Sequence, residues 1–313
     1  MGSKPMAAWP AENSSTRQVQ RARFLSIEDG FNIQRPRQRP HAFIAEREAA
    51  FSPGESASFP LDQSASLGLP FAATTPLMLA RYLRLTDRHP LAVESCAAGE
   101  VYVALQGEGR SRRGPDEVTW RAGDVFCLPG ARDPSWHEAA NGVLYMVCDE
   151  PAFRFLGAAA PALGESPIEA VHYPHAMITG ALAELRERVL PADAPGRALN
   201  LSSLAMSATH PCLPSLTLTY NLVAPGDRQR PHHHNATALV LVLDPGGCHS
   251  VIGGERIDWR RHIVLLTPAG EVHEHANRPD GDWALALIAQ DGGLHYHCRT
   301  MGFSFAEAQA CSA

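Results

Sequence analysis

The sequence predicts an all-β protein made of two repeated units joined by a short helical connector. Three observations predict it. Short apolar segments broken by Gly, Pro and Asp run from Leu77 to Cys148 and resume from Ser215 to Ala289, the pattern of a barrel or sandwich. Between them, residues 156 to 198 are rich in Ala and Pro, and Ile178, Leu182, Leu185 and Val189 fall at helical spacing within Ala176 to Val189, with Pro191 and Pro195 as stops. The order of features then repeats. Gln106-Gly-Glu-Gly109, Trp120 and Gly123-Asp-Val-Phe-Cys-Leu-Pro129 in the first half correspond to Asp244-Pro-Gly-Gly247, Trp259 and His262-Ile-Val-Leu-Leu-Thr-Pro268 in the second. A period of about 140 residues implies duplication.

Taken in order, residues 1 to 40 are polar and lack periodicity, and residues 41 to 70 add a few apolar anchors: Phe43, Phe51, Phe59 and Leu61. Residues 1–70 are read as an arm, partly disordered or wrapped on a partner subunit. Strands are expected at Leu77–Leu85, Glu100–Gly107, Val118–Trp120, Asp124–Leu128 and Gly142–Cys148, so the first unit spans 71–155. The connector spans 156–199. The second unit, 200–305, has strands at Ser215–Leu222, Ala238–Leu243, His262–Leu266 and Trp283–Ala289, and 306–313 form a tail.

Composition excludes several classes. The net charge of -6 and the absence of a basic stripe argue against a nucleic-acid surface, and Arg35-Pro-Arg-Gln-Arg-Pro-His41 reads as a solvated run. No apolar window is long enough for a membrane helix, and Met1-Gly-Ser-Lys-Pro shows no signal-type apolar region. Seven cysteines without a CxxC pair suit reduced thiols and a cytoplasmic location.

The chemistry concentrates in the second unit, where nine of the fifteen histidines fall between His232 and His297. His232-His233-His234 opens a β-type segment, and Thr267-Pro-Ala-Gly-Glu-Val-His273-Glu-His275 closes another. Side chains alternate along a strand, so His232 and His234 share a face and His233 points to the other. Two imidazoles on one strand and His273 from a neighbour make a three-nitrogen facial site with open positions, suited to iron(II), manganese, nickel or zinc.

These motifs resemble the cupin superfamily, and with the duplication a bicupin: two tandem double-stranded jelly-roll barrels. The segments Pro225-Gly-Asp-Arg-Gln-Arg-Pro-His-His-His-Asn-Ala-Thr-Ala-Leu239 and Thr267-Pro-Ala-Gly-Glu-Val-His-Glu-His-Ala-Asn277 are most similar to the metal-bearing cupin of gentisate and salicylate ring-cleaving dioxygenases. The resemblance implies His232, His234 and His273 as ligands of Fe(II), and His275 as a non-ligand histidine beside the substrate. The chain departs from that pattern at three positions. Val240 stands where the family has a carboxylate-binding Arg, Ala236 where it has a Gln, and Val272 where it has a Trp. Those enzymes also place the metal-bearing cupin first, whereas here it is second. In the first half Glu94, Cys96 and Glu100 take the HxHxxxE positions, with His137 later, and are read as a degenerate site.

The resemblance implies a three-histidine non-heme iron dioxygenase using O2 on a small aromatic substrate that chelates the metal through two atoms: a hydroxybenzoate, aminophenol or catechol-like ring, with ring cleavage first. His275 is the expected catalytic group, accepting a substrate proton. Arg197, Tyr220 and Gln290 are the candidate substrate contacts, and His295, His297 and Cys298 either line the barrel mouth or lie in an exposed loop. A homo-oligomer, dimer or tetramer, is expected. Three other readings stay open: a different iron and O2 reaction in a specialised pathway, a non-redox metal isomerase or lyase, and a binding module.

Overall fold

The structure is a computed structural model that describes residues 16–22, 24, 26, 27, 37–191 and 194–306. The expectations for the rest of the first forty residues, for part of the Arg35–His41 run and for the tail beyond 306 lie outside the described residues. The chain divides into a unit up to Arg37 and one from Gln38 onward. In the first, a one-turn helix at Arg17–Arg21 is capped by Thr16, whose hydroxyl accepts from the Val19 amide at 3.4 Å.

The second unit holds two double-sheet barrels. In the first barrel, a six-stranded sheet runs Val171–Tyr173, Val125–Pro129, Gly99–Gln106, Asn141–Cys148, Leu79–Thr86, Ala57–Pro60. It closes on a four-stranded sheet of Leu91–Val93, Ser135–Ala139, Glu108–Arg113 and Asp116–Arg121. In the second barrel, the six strands are His41–Ala42, Val264–Thr267, Ala238–Asp244, Ala284–Gln290, Thr217–Val223 and Arg197–Leu201. They close on Glu255–Asp258, His249–Ile252, His273–Ala276, His232–His234 and Phe303–Phe305.

Each barrel has its own core, Tyr102, Trp120, Phe126 and Leu128 among others in the first, Val240, Val242, Trp259 and Leu265 in the second. A third apolar cluster lies between them. Val101, Val103, Tyr145 and Val147 from one large sheet pack with Leu218, Tyr220, Leu239 and Leu287 from the other. The large sheets therefore meet back to back and are apolar on both faces. This explains why their strands read as continuous apolar runs such as Val143–Cys148 and Leu239–Leu243, while the outer sheets alternate. Each fully buried aliphatic side chain there contributes about 1.5–3 kcal/mol.

Residues 41–70, expected as arm, join both barrels. His41–Ala42 pairs with Leu266 and Leu265, Ala57–Pro60 pairs with Arg84 through Arg81, and Phe43 and Leu61 are wholly buried. The helix between them, Ile44–Phe51, carries these two short strands to the exposed edges of both large sheets, which would otherwise present unpaired backbone. The connector helix is His175–Glu187, burying Ile178, Leu182 and Leu185. Val189 lies past its end and is 96 % exposed, because the chain leaves helical geometry at Arg188, ahead of Pro191.

Candidate metal centre

His232 and His234 point into the second barrel and are buried, while His233 between them is half-buried on the opposite side, as strand alternation requires. His232 pairs with His273 on the adjacent strand, and the rings of His232 and His234 lie 4.3 and 4.7 Å from that of His273. One nitrogen from each of the three lies within 4.8 Å of the others. The remaining nitrogens are all tied to backbone carbonyls two residues away. His232 Nδ1 donates to Arg230 O at 2.8 Å, His234 Nδ1 to Ala236 O at 2.7 Å and His273 Nδ1 to Glu271 O at 2.9 Å.

A carbonyl only accepts, so each ring carries its proton on Nδ1 and turns the Nε2 lone pair inward. Three converging lone pairs form a cradle for a cation, with the ring orientation set by the outer hydrogen bond. Burial also lowers the proton affinity of all three. His273 falls furthest, to about 2, through desolvation and then the neighbouring His232 ring. The histidines are neutral at ordinary pH, the form that binds metal. The residues fit a transition-metal ion with three nitrogen ligands.

The cluster opens on a pocket of about 280 Å³. Val240, Ile288, Met301 and Phe303 form apolar walls, and Thr219, Asn221, Gln229, Gln290 and Tyr296 add neutral polar groups. Gln229 Nε2 donates to Asn221 Oδ1 at 2.7 Å, and Gln290 Nε2 lies 3.2 Å from His234 Nε2. Among the described residues that line the pocket, none is Arg, Lys, Asp or Glu.

His275 lines the same pocket, wholly buried, with Nδ1 2.8 Å from Ser250 Oγ. Its imidazole is pushed down to about 3, first by burial and then by His232 and His234. Gln290 lines the pocket too. Arg197 and Tyr220 do not. Ala198 faces the pocket, so alternation turns Arg197 outward, where it donates to Leu185 O at 3.1 Å and Arg188 O at 2.6 Å. Likewise Thr219 and Asn221 face the pocket, which puts Tyr220 between them into the core shared by the barrels. His295 and His297 lie on a helix, Gly292–Cys298, whose Tyr296 lines the pocket while they do not.

The duplication permits a residue-by-residue comparison of the barrels. Val93 pairs with Ser135 where His232 pairs with His273, so Val93 and Ser95 take the places of His232 and His234. The sequence reading that put Glu94 and Cys96 there is corrected by one residue; Glu94 is exposed, and Cys96 Sγ contacts Ala158 O at 3.4 Å. Glu100 occupies the register of Ala238, and Tyr102 that of Val240. With Arg113 and His137 they fill the first barrel. Arg113 Nη2 donates to Glu100 Oε1 at 2.8 Å, Tyr102 OH donates to Glu100 Oε2 at 2.6 Å, and His137 Nε2 lies 3.1 Å from Tyr102 OH. Among the described residues the three-histidine set is the only metal-capable cluster. A wider cleft of about 700 Å³ on the first barrel includes Arg110 and Asp124, but Glu138 and Glu117 engage Arg110 and His172 engages Asp124.

No protein-family model matches the chain. Over 97 residues it is 32 % identical to gentisate 1,2-dioxygenase 1 of Aquipseudomonas alcaligenes, a stretch covering 31 % of this chain and 25 % of that protein. Over 87 residues it is 33 % identical to 5-aminosalicylate 1,2-dioxygenase of a Comamonas species, covering 26 % and 22 %. The chain thus spans about a quarter of the length of these relatives. The crystal structure of a salicylate 1,2-dioxygenase from Pseudaminobacter salicylatoxidans superposes with a TM-score of 0.70 at 16 % identity, over 87 % of this chain and 89 % of that one. The chain is a bicupin in fold, sharing the two-barrel architecture of that salicylate dioxygenase and a stretch of sequence similar to gentisate-type dioxygenases.

Proposed function

We propose that this chain is a ferrous dioxygenase that cleaves a small aromatic ring, held to the metal by two ring substituents. The observation that carries the reading is the cradle of three neutral imidazoles, each locked by a backbone carbonyl, lining one pocket. His232, His234 and His273 would hold the ion. Bound there, iron(II) supplies the redox chemistry, relaying electron density from an electron-rich ring to O2.

The chain's own residues do the rest. Val240, Ile288 and Phe303 offer apolar surface to a flat ring. The Asn221–Gln229 amide pair and Gln290 supply neutral donors and acceptors. Among the described lining residues a substrate carboxylate meets no cationic side chain, since Val240 is apolar and Arg197 faces away. Catechol-like and aminophenol substrates therefore fit this pocket better than hydroxybenzoates. The test is O2 uptake by the iron-loaded protein across catechols, aminophenols and hydroxybenzoates, with product mass. The reading expects incorporation of both oxygen atoms into a ring-opened catechol or aminophenol. Absence of uptake with every member, or turnover without O2, contradicts it.

A further inference from the structure

Ser250 is wholly buried, and two polar groups lie in reach of its Oγ: Trp259 Nε1 and His275 Nδ1, each at 2.8 Å. An indole N–H only donates, so Ser250 accepts from Trp259. The serine hydrogen then has one acceptor within reach, His275 Nδ1. The opposite arrangement, His275 Nδ1–H donating to Ser250, leaves a buried hydroxyl hydrogen without a partner, which folded proteins avoid.

The first barrel repeats the device. Trp120 Nε1 donates to Ser111 Oγ at 2.9 Å, and Ser111 lies 2.8 Å from His137 Nδ1. There the chain closes: His137 Nε2–H has two acceptors, Ser135 Oγ at 3.0 Å and Tyr102 OH at 3.1 Å, whose own hydrogens go to Val93 O and to Glu100 Oε2. Every donor has an acceptor in only one direction, from indole to serine to imidazole Nδ1, with the ring proton on Nε2. In the second barrel Val240 stands in place of Tyr102, so the equivalent Nε2–H of His275 is left to the pocket. The three ligand histidines, anchored by carbonyls, hold the reverse tautomer.

We propose that Trp259 and Ser250 are positioning residues that set His275 as its Nε2–H tautomer, so that it enters the pocket as a hydrogen-bond donor to an anionic oxygen of a ligand chelating the three-histidine site. The ligand class is then a phenolate or enolate that has already lost its proton, not a phenol awaiting a base. The donor role rests on the metal-site reading above; the tautomer does not.

The experiment is a long-range proton–nitrogen correlation on metal-free protein labelled with nitrogen-15 histidine, with His275 and His137 assigned through His275→Asn and His137→Asn. The expected result is an Nε2-protonated pattern for both and an Nδ1-protonated pattern for His232, His234 and His273. Ser250→Ala should abolish the pattern at His275 and leave it at His137, which also reports that the variant is folded. An Nδ1-protonated His275 in the unaltered protein, or an Nε2–H pattern that survives Ser250→Ala, overturns the assignment. In a second arm, zinc-loaded protein is titrated with 4-nitrocatechol and separately with imidazole. Ser250→Ala should weaken nitrocatechol about tenfold or more, as loss of a hydrogen bond to a charged acceptor does, with imidazole unchanged. Equal weakening of both overturns the donor role, while failure of the unaltered protein to retain zinc refutes the metal site and leaves the tautomer to the first arm.

Discussion

Arg113 and Glu100 meet at 2.8 Å with neither side chain exposed, at register positions that the second barrel fills with Ile252 and Ala238. The pair is the polar floor of the first barrel, and it stands where the second barrel keeps an open pocket. Removing one partner strands a buried charge. Glu100→Gln should destabilise the metal-free protein by about 3–5 kcal/mol. The double substitution Glu100→Ala with Arg113→Ile should recover much of that loss, because it removes both charges together. Urea midpoints of the three proteins measure this.

His137 is buried and His262 half-buried, and both are neutral, lowered to about 3 and about 4 from the ordinary 6.5, chiefly by desolvation and then by nearby arginines. A base whose folded pKa is depressed binds fewer protons in the folded state than in the unfolded chain. Its contribution is intact above 6.5 and is lost as pH falls through the window down to the folded value. Stability of the metal-free protein should therefore decline from pH 7 toward pH 4, and His137→Gln should flatten part of that slope. A chemical-denaturation series across pH tests it; an unchanged slope in the variant removes His137 from the account.

Val240 lines the pocket and is 2 % exposed. Val240→Arg should bring a cation into an otherwise neutral wall. Binding of salicylate to the metal-loaded protein should tighten about tenfold, the worth of one hydrogen bond to a charged group, at some cost in stability from overpacking. Calorimetric titration decides it, and equal affinity in the two proteins would mean that a carboxylate finds another anchor.

His234 lies on the ligand strand and His233 beside it faces outward. His234→Ala should abolish stoichiometric metal binding and the rise in melting temperature that metal confers, whereas His233→Ala should retain both. Metal analysis paired with thermal melts separates them.

The fold and the three-histidine cluster are both legible in the sequence, for physical reasons. Large-sheet strands such as Ala238–Asp244 are buried on two faces and read as uninterrupted apolar runs. The cluster is legible because strand alternation places His232 and His234 on one face by spacing alone. What escapes is anything decided by side-chain direction or by long-range pairing. Arg197 and Tyr220 sit on strands that border the pocket but alternate away from it. The first-barrel register is misread by one residue because Val93 and Ser95 carry no ligand chemistry to mark it. The charged strand Glu108–Arg113 conceals buried Ser111 and Arg113 among exposed neighbours. The Ser250–Trp259 contact does leave a trace: each repeated tryptophan has a serine nine residues before it, Ser111 before Trp120 and Ser250 before Trp259.

His232, His234 and His273 are proposed to build an open ferrous site. Its most direct test is metal content after anaerobic purification, combined with magnetic-resonance detection of a nitric oxide adduct. About one iron per chain is expected, reactive with nitric oxide, with loss of both metal and signal in His273→Ala. Stoichiometric zinc or nickel that excludes iron, with no adduct, would contradict it and point to non-redox chemistry at the same three histidines.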